Sequence, residues 1–332
     1  MAVTILDVAK AAGVSVSTVS RALSSPEMVR PETRARVRAV ADSLGYRPNL
    51  AARGLITGRT ANLGLVVPDL TNPFFPSLLK GAQARAREAD HAVFLADSQE
   101  DGAEEARLVA AMAKQVDGVV MCASRMDRPL LETVLGLVPI VFINRAVPGH
   151  PSVIMDNAGG MRQAVDHLAA LGHRRIAYLN GPRSSWTNKE RRKGLRRADR
   201  HGMEVTHLGP FAPRFESGQQ AADLVIAAGV SAVVAYNDVM ALGVLSRLAE
   251  RGVPVPGRIS VVGCDDIGFA AMATPALTTV DLRGERAGRA AVETLLDVLA
   301  APEQSTPART RAPLRPDLTA TLIVRASTGP AA

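Results

Sequence analysis

The sequence predicts an α/β protein in which a small all-α head precedes a two-lobed body of parallel sheets. Three observations lead there. The first stretch, "DVAKAAGVSVSTVSRAL", has helical spacing interrupted by a glycine. From Asn62 onward, short aliphatic runs alternate with amphipathic helical patterns in two successive sets. The charge is also uneven: residues 1–60 hold nine Lys/Arg against four Asp/Glu, a net +5, and the other 272 residues contribute only +2 of the formal +7. A basic head on a nearly neutral body suits a polyanionic partner for the head alone. With 332 residues, 47% of them hydrophobic, the chain can bury more than one core.

In the head, Thr4 can cap a first helix whose third position is Asp7, a capping-box-like pair, with Val8 and Ala9 facing inward. Gly13 ends that helix, since glycine enters the left-handed region without steric cost. Val14 can plug the corner. Ser15 is placed to cap a second helix running to Leu23, with Val19 and Leu23 on its inner face and Val16, Ser17, Ser20 and Arg21 outward near its start. In "RPETRARVRAVADSLGY", Pro31 suits a first helical position, Val37, Val40, Ala41 and Leu44 form an apolar stripe, and Gly45 stops the helix. Residues 1–47 therefore read as a helix-turn-helix domain. The alternative is an ordinary capped turn between packed helices. The hydroxyl cluster favours the former, because short donors at a helix start let the backbone approach phosphates closely. Residues 48–60 read as a hinge. Pro48 blocks continuation, Asn49 can cap a short segment over 50–55, and that segment is too short to be stable alone.

Residues 61–332 form the body. The runs "LGLVV", "AVFLAD", "GVVMCA" and "PIVFIN" make a first set, with helices expected over 75–90 and 102–115. "SVIM", "RIAYLN", "AVVAY" and "ISVVGCD" make a second, with helices over 157–171 and 238–251. Ligands of open parallel sheets sit beyond the carboxyl ends of the strands. The polar residues there are Asp69, Asn72, Asn144, Arg145, Asp156, Asn180, Asn237, Asp238, Asp265 and Asp266, with Phe74 and Phe75 following Asn72. Asn and Asp after a strand often only cap the next helix. Gathered at one end with aromatic faces, they suit a polyhydroxylated ligand.

The stretches "VTILDVAKAAGVSVSTVSRAL", "LGYRPNLAARGLITGRT", "LGLVVPDLTNPFF", "LGHRRIAYLNGP", "AYNDVMALGVL", "ISVVGCDDI" and "PALTTV" together resemble the lactose-repressor/galactose-repressor (LacI/GalR) family of bacterial transcription regulators. The resemblance implies that Val16, Ser17 and Arg21 read bases, and that Thr4, Ser15, Thr18, Ser20, Tyr46 and Asn49 meet phosphates. It also implies that Leu55 wedges into the minor groove at the operator centre. Gly54, where a better helix former is common, lowers hinge-helix propensity by about 1 kcal/mol. The body is similar to periplasmic sugar-binding proteins. This implies effector contacts from Asn72, Phe74, Phe75, Asn144, Arg145, Arg191, Asn237 and Asp265, with Asp156 as a further carboxylate. Phe211 or Phe215 would supply a second-lobe stacking ring, and Leu282 stands where the family often has a glutamine. The implied function is a homodimeric repressor on a pseudo-palindromic double-stranded operator, controlled by a small molecule, a sugar, in the interlobe cleft. The alternative is a corepressor-dependent regulator binding a nucleobase or other metabolite.

Other readings find less support. A solute-binding protein lacks use for the head, and the N-terminus has no secretory pattern. An enzyme would need a nucleophile–base pair or a cofactor loop, and neither occurs. "SLLK" at 77–80 falls inside a helical pattern without its companion motifs. The six histidines are scattered, so no metal site is expected, and no cofactor is implied. Cys122 and Cys264 each sit in an apolar run and read as buried thiols. "KERRKGLRRADRH", at 189–201, reads as a solvated helix face with Arg191 turned into the cleft, against a second nucleic-acid patch. No heptad segment follows "LTATLIVRASTGPAA", so a dimer is expected and not a tetramer, in the cytoplasm and without a membrane partner.

Overall fold

The computed structural model describes residues 3–24, 26–46, 59–301 and 318–331, and the chain divides into two compact units, Met1–Thr60 and Ala61–Ala332. In the first unit, α1 (Ile5–Ala12), α2 (Val16–Ser24) and α3 (Pro31–Ser43) surround Val8, Ala12, Val19, Ala22, Val37 and Ala41. The Thr4 backbone N–H and hydroxyl both donate to the Asp7 carboxylate, at 2.8 and 2.7 Å. That backbone bond, with the hydroxyl bond behind it, holds the Asp7 carboxyl below its ordinary pKa. Gly13 turns the chain at φ 65°, and Ser15 Oγ accepts the Thr18 N–H at 3.2 Å to start α2. The expected stripe of α3 holds except at Leu44, which is 37% exposed. The helix has ended at Ser43, and the left-handed Gly45 redirects the chain. The Tyr46 N–H returns to the Ala41 carbonyl at 2.8 Å, and the Tyr46 ring packs on the core instead. Asn49, Gly54 and Leu55 lie outside the described residues.

The second unit has two lobes. The first lobe runs β1 (Asn62–Val67), α4 (Phe74–Glu88), β2 (Ala92–Asp97), α5 (Gly102–Met112), β3 (Gly118–Cys122), α6 (Arg128–Val134), β4 (Ile140–Ile143) and β5 (Ser152–Val153). Its parallel sheet has the order β2-β1-β3-β4-β5. Next come α7 (Asn157–Ala170), β6 (Arg175–Leu179), α8 (Trp186–Leu195), β7 (Glu204–Leu208), α9 (Phe215–Ala227), β8 (Ala232–Ala235), α10 (Asp238–Glu250), β9 (Ser260–Val262) and α11 (Gly268–Met272). They form a second parallel sheet of order β7-β6-β8-β9. Aliphatic strands buried on both faces, such as Val119 to Cys122 and Ala232 to Ala235, explain why the runs read as continuous apolar blocks.

Two features depart from the sequence reading. "SVIM" was expected to open the second set, but Ser152 and Val153 pair with Phe142 and Ile143 as the last strand of the first sheet. A loop without a helix suffices because β5 makes only a two-residue ladder at the sheet edge. Second, the chain returns. After β10 (Thr279–Asp281), α12 (Gly284–Ala300) packs along α4 of the first lobe, and β11 (Thr321–Ile323) pairs antiparallel with β10. The α4–α12 approach is backbone to backbone. A Cβ at Gly81 would lie 1.8 Å from the Glu285 carbonyl oxygen, and one at Gly288 would lie 2.0 Å from that of Leu78.

Candidate functional site

Two surfaces carry the residues singled out above, one on each unit. On the first, α2 buries Val19 and Ala22 and leaves Val16, Ser17 and Arg21 exposed, so the three expected base-reading side chains share the outer face of one helix. Ser15 Oγ lies 2.8 Å from both Ser17 Oγ and Thr18 Oγ1, which gathers three hydroxyls around the helix start. Such a cluster, beside the partial positive charge of a helix N-terminus, can receive a phosphate. Thr4 is committed differently, since both its donors go to Asp7. Ser20 and Tyr46 are partly buried beside this face.

On the second unit, the carboxyl ends of the strands meet at a cavity of about 30 Å³ between the lobes. Asn72, Phe74, Phe75, Asn144, Arg191, Asn237 and Asp265 all line it, as does Asp69. Phe74 and Phe75 sit edge to face with centroids 5.3 Å apart. Asn72 Oδ1 accepts the Phe74 N–H at 3.1 Å, and Asn237 Oδ1 accepts the Met240 N–H at 2.9 Å. Asn237 therefore caps its helix and Asn72 closes the turn before Pro73 that leads into α4, while both side chains border the cavity.

The polar side chains form one connected chain. Asn157 Nδ2 donates to Asn144 Oδ1 at 3.1 Å, and Arg191 Nε donates to Asn157 Oδ1 at 3.0 Å. Arg191 Nη2 lies 3.3 Å from Asp265 Oδ1, Nη1 donates to the Tyr236 carbonyl, and the guanidinium carbon is 4.6 Å from the Tyr236 ring centre. Burial pushes the Asp265 carboxyl up to about 6, against the opposing pull of Arg191 and of hydrogen bonds from Asn72 and Arg191. Behind the cavity Asp238 is pushed up to about 7, first by burial and then by the Asp265 charge. Its carboxylate accepts the Thr279 hydroxyl at 2.5 Å and the Ile267 N–H at 2.9 Å, so it secures the turn that presents Asp265.

Two expected effector residues stand elsewhere. Arg145 donates to the Ser124 carbonyl at 2.9 Å, away from the cavity lining. Asp156 caps α7, accepting the Gly159 N–H at 2.8 Å. Neither Phe211 nor Phe215 reaches the cavity, where Pro213 between them does. Asn180 donates to the Leu208 carbonyl at 2.9 Å, and Asp266 pairs with Arg325 at 2.7 Å. Leu282 is buried in the core.

The structure adds Glu100, Arg125, Thr187 and Tyr236 to the lining. Arg125 Nε and Nη2 grip the Glu100 carboxylate at 2.5 and 3.0 Å, and Nη1 donates to the Ala123 carbonyl at 2.8 Å. Its backbone N–H, with the Ser124 hydroxyl, is held by the buried Glu105 carboxylate at 2.8 and 2.6 Å. Tyr236 Oη lies 2.9 Å from Thr187 Oγ1 and 3.0 Å from Ser185 Oγ. Arg125 stands two residues beyond the "GVVMCA" run, after Ser124, so the strand-end rule applied to β3 would have found it. Tyr236 was absorbed into the run "AVVAY".

This arrangement can recognise a polar ligand. Each guanidinium at the cavity faces a carboxylate, and the remaining donors and acceptors match hydroxyls better than a charged ligand. Cys122 borders the cavity, but burial raises its thiol pKa far from thiolate formation. Among the described residues no cluster of three or more His, Cys, Asp or Glu could hold a metal, and no helix is long and apolar enough to cross a membrane.

Comparison with known proteins agrees with this arrangement. Residues 4–49 match the signature of bacterial regulatory proteins of the lacI family, and residues 165–328 match a periplasmic binding protein-like domain. The HTH-type transcriptional regulator GalS of Salmonella typhimurium is 35% identical over 287 residues, 84% of each chain. A complex of the transcriptional regulator CelR with cellobiose is 34% identical with a TM-score of 0.69, covering 98% of this chain and 99% of that one. The lac repressor dimer bound to operator and the anti-inducer ONPF is 27% identical with a TM-score of 0.83, covering 99% and 100%.

Proposed function

The chain belongs to the lacI family of bacterial regulatory proteins and is a DNA-binding transcriptional regulator, and we propose that it represses as a homodimer on a pseudo-palindromic operator under control of a polyhydroxylated small molecule in the cleft. The observation that carries this reading is the Arg191–Asp265–Asn72 cluster beside Phe74 and Phe75. It offers hydroxyl-pairing groups next to apolar ring faces at the strand ends. In the first unit, Val16, Ser17 and Arg21 read base edges, and Ser15, Thr18 and Ser20 seat the helix on phosphates. Asn49 meets phosphate and Leu55 wedges into the minor groove at the operator centre, the roles that the family resemblance assigns them.

The cavity of about 30 Å³ accommodates about one water. A sugar enters only if the lobes part or the lining side chains swing, so binding is tied to lobe closure. Through linkage the effector shifts operator affinity by its differential affinity for two closure states, typically about 1–3 kcal/mol.

Apolar residues on exposed edges support dimerisation. Phe94, 41% exposed, and Leu95 lie on the edge strand β2, and Phe269 and Met272, the latter 76% exposed, lie on α11. An edge strand bearing apolar side chains is a pairing surface unless covered. The reading is tested by selecting genomic fragments on the purified protein. The bound fragment is then titrated by anisotropy with monosaccharides, disaccharides and nucleobases. A selected fragment released or tightened by a sugar supports it. Absence of any fragment preferred over random competitor overturns it, and a response confined to nucleobases replaces the effector class.

A further inference from the structure

The basic run at 189–201 does more in the fold than solvate a helix. The inner face of α8 buries Asn188 and Arg191, while its outer face presents Lys189, Arg192 and Lys193, with Arg196 following at the next turn. Between Lys189 and Arg196 the helix advances about 10 Å, so these cations share one stripe. Arg183 from the preceding loop and His207 from β7 complete a groove of two adjoining hollows, each of about 290 Å³, with Lys189, Arg192 and His207 common to both.

No carboxylate lines either hollow. Lys193 has Glu190 as an ion-pair partner, whereas Arg183, Lys189, Arg192 and Arg196 have no carboxylate partner among the described residues. Several surface arginines elsewhere on this lobe are answered by carboxylates, whereas the exposed Arg174, Arg175, Arg200, Arg214 and Arg258 are not gathered in either hollow. Arg197 pairs with Asp166 at 2.8 Å, Arg247 and Arg251 with Asp223 at 2.9 and 3.0 Å, and Arg325 with Asp266 at 2.7 Å. Gathering cations in a concavity without countercharge costs electrostatic energy, and a multiply charged anion recovers it. Arg and Lys suit phosphoryl oxygens in particular, the former through its planar fork.

We propose that the outer face of α8, with Arg183 and His207, is a second ligand site, distinct from the cleft, for a small phosphorylated metabolite. The concavity and its size favour a small molecule over a duplex or an acidic protein, which would engage a broad convex face.

The test uses the full chain and inorganic pyrophosphate as probe, by calorimetry at an ionic strength fixed with potassium chloride. Saturable one-to-one binding is expected, weakened at least tenfold in Arg192→Gln/Arg196→Gln, whose substitutions are exposed and leave the circular dichroism unchanged. Lys80→Gln/Arg128→Gln, which removes two cations of the first lobe, is expected to bind pyrophosphate as the parent does. Glucose 6-phosphate and glucose then separate the phosphoryl group from the sugar, and only the former should be displaced by pyrophosphate. Absence of saturable binding, or equal binding by the α8 double variant, overturns the proposal. So does equal weakening in both double variants, which would mark a diffuse charge effect. Loss of random-duplex affinity in the α8 variant without pyrophosphate binding by the parent would assign the face to nucleic acid instead.

Discussion

Arg191 and Asp265 meet inside the second unit at 3.3 Å with side chains only 4% and 5% exposed. A buried pair of this kind is costly to break from one side, because the survivor keeps its charge without its partner. Arg191→Ala should lower stability by about 3–5 kcal/mol and abolish the effector response, while the first unit still binds DNA. Urea denaturation and anisotropy on one preparation check both. Effector response retained in a folded variant would contradict the role given to Arg191.

The raised Asp265 carboxyl gives effector binding a pH signature. Its pKa of about 6 lies within an accessible range, and ligand hydroxyls donate better to the ionised form. Affinity is therefore full above that value and falls as the pH drops through about 6. In Asp265→Asn this step should disappear. Calorimetric titrations with the identified effector between about pH 5 and 8 supply the measurement.

Asp238 makes the opposite kind of contribution, to stability. Its folded pKa of about 7 lies above the ordinary 3.8, so the folded state keeps a proton that the unfolded chain has released. Stability from this group is thus greatest below the lower value and is lost as pH rises through the upper one. The stability of the parent relative to Asp238→Asn should decline across that interval and level off above it. A difference independent of pH would refute the assignment.

On the first unit, Arg21 is exposed on the outer face of α2 with Val19 and Ala22 anchoring the inner one. Arg21→Ala should reduce operator over random-duplex preference by about 1–3 kcal/mol without unfolding the unit. Ser15→Ala, which removes the cap on the Thr18 N–H, should instead cost about 1 kcal/mol of stability. Competition anisotropy separates the two effects.

Leu95→Glu places a charge on the exposed edge of β2. It should shift the sedimentation profile from dimer to monomer and weaken operator binding together, since two reading helices are needed for both half-sites. A dimer unchanged by this substitution would move the interface elsewhere.

The head was legible in the sequence because its signals are local. Gly13, Ser15 and Pro31 act within a turn of where they stand, and the observed helices begin and end beside them. The alternating pattern of the body was legible for the same reason: each buried strand carries its own apolar run. Local pattern, however, says that a face is buried and not what buries it. That α12 crosses back to α4, or that Ser152–Val153 completes the first sheet, depends on partners far away in the chain.

The cleft divides along the same line. Residue types and strand ends nominated Asn72, Phe74, Phe75, Asn144, Asn237 and Asp265, the family resemblance added Arg191, and the fold brings all seven to one cavity. Only the tertiary structure separated Asp156 and Arg145 from them. Asp156 follows the edge strand β5, remote from the β1–β3 crevice where the sheet order reverses, and the left-handed backbone at Asn144 sends Arg145 back to Ser124. By itself the sequence determined the elements and the chemistry available at their ends. Which of those ends converge was decided by strand order and lobe packing, because position within a sheet is a property of the whole fold and of no single segment.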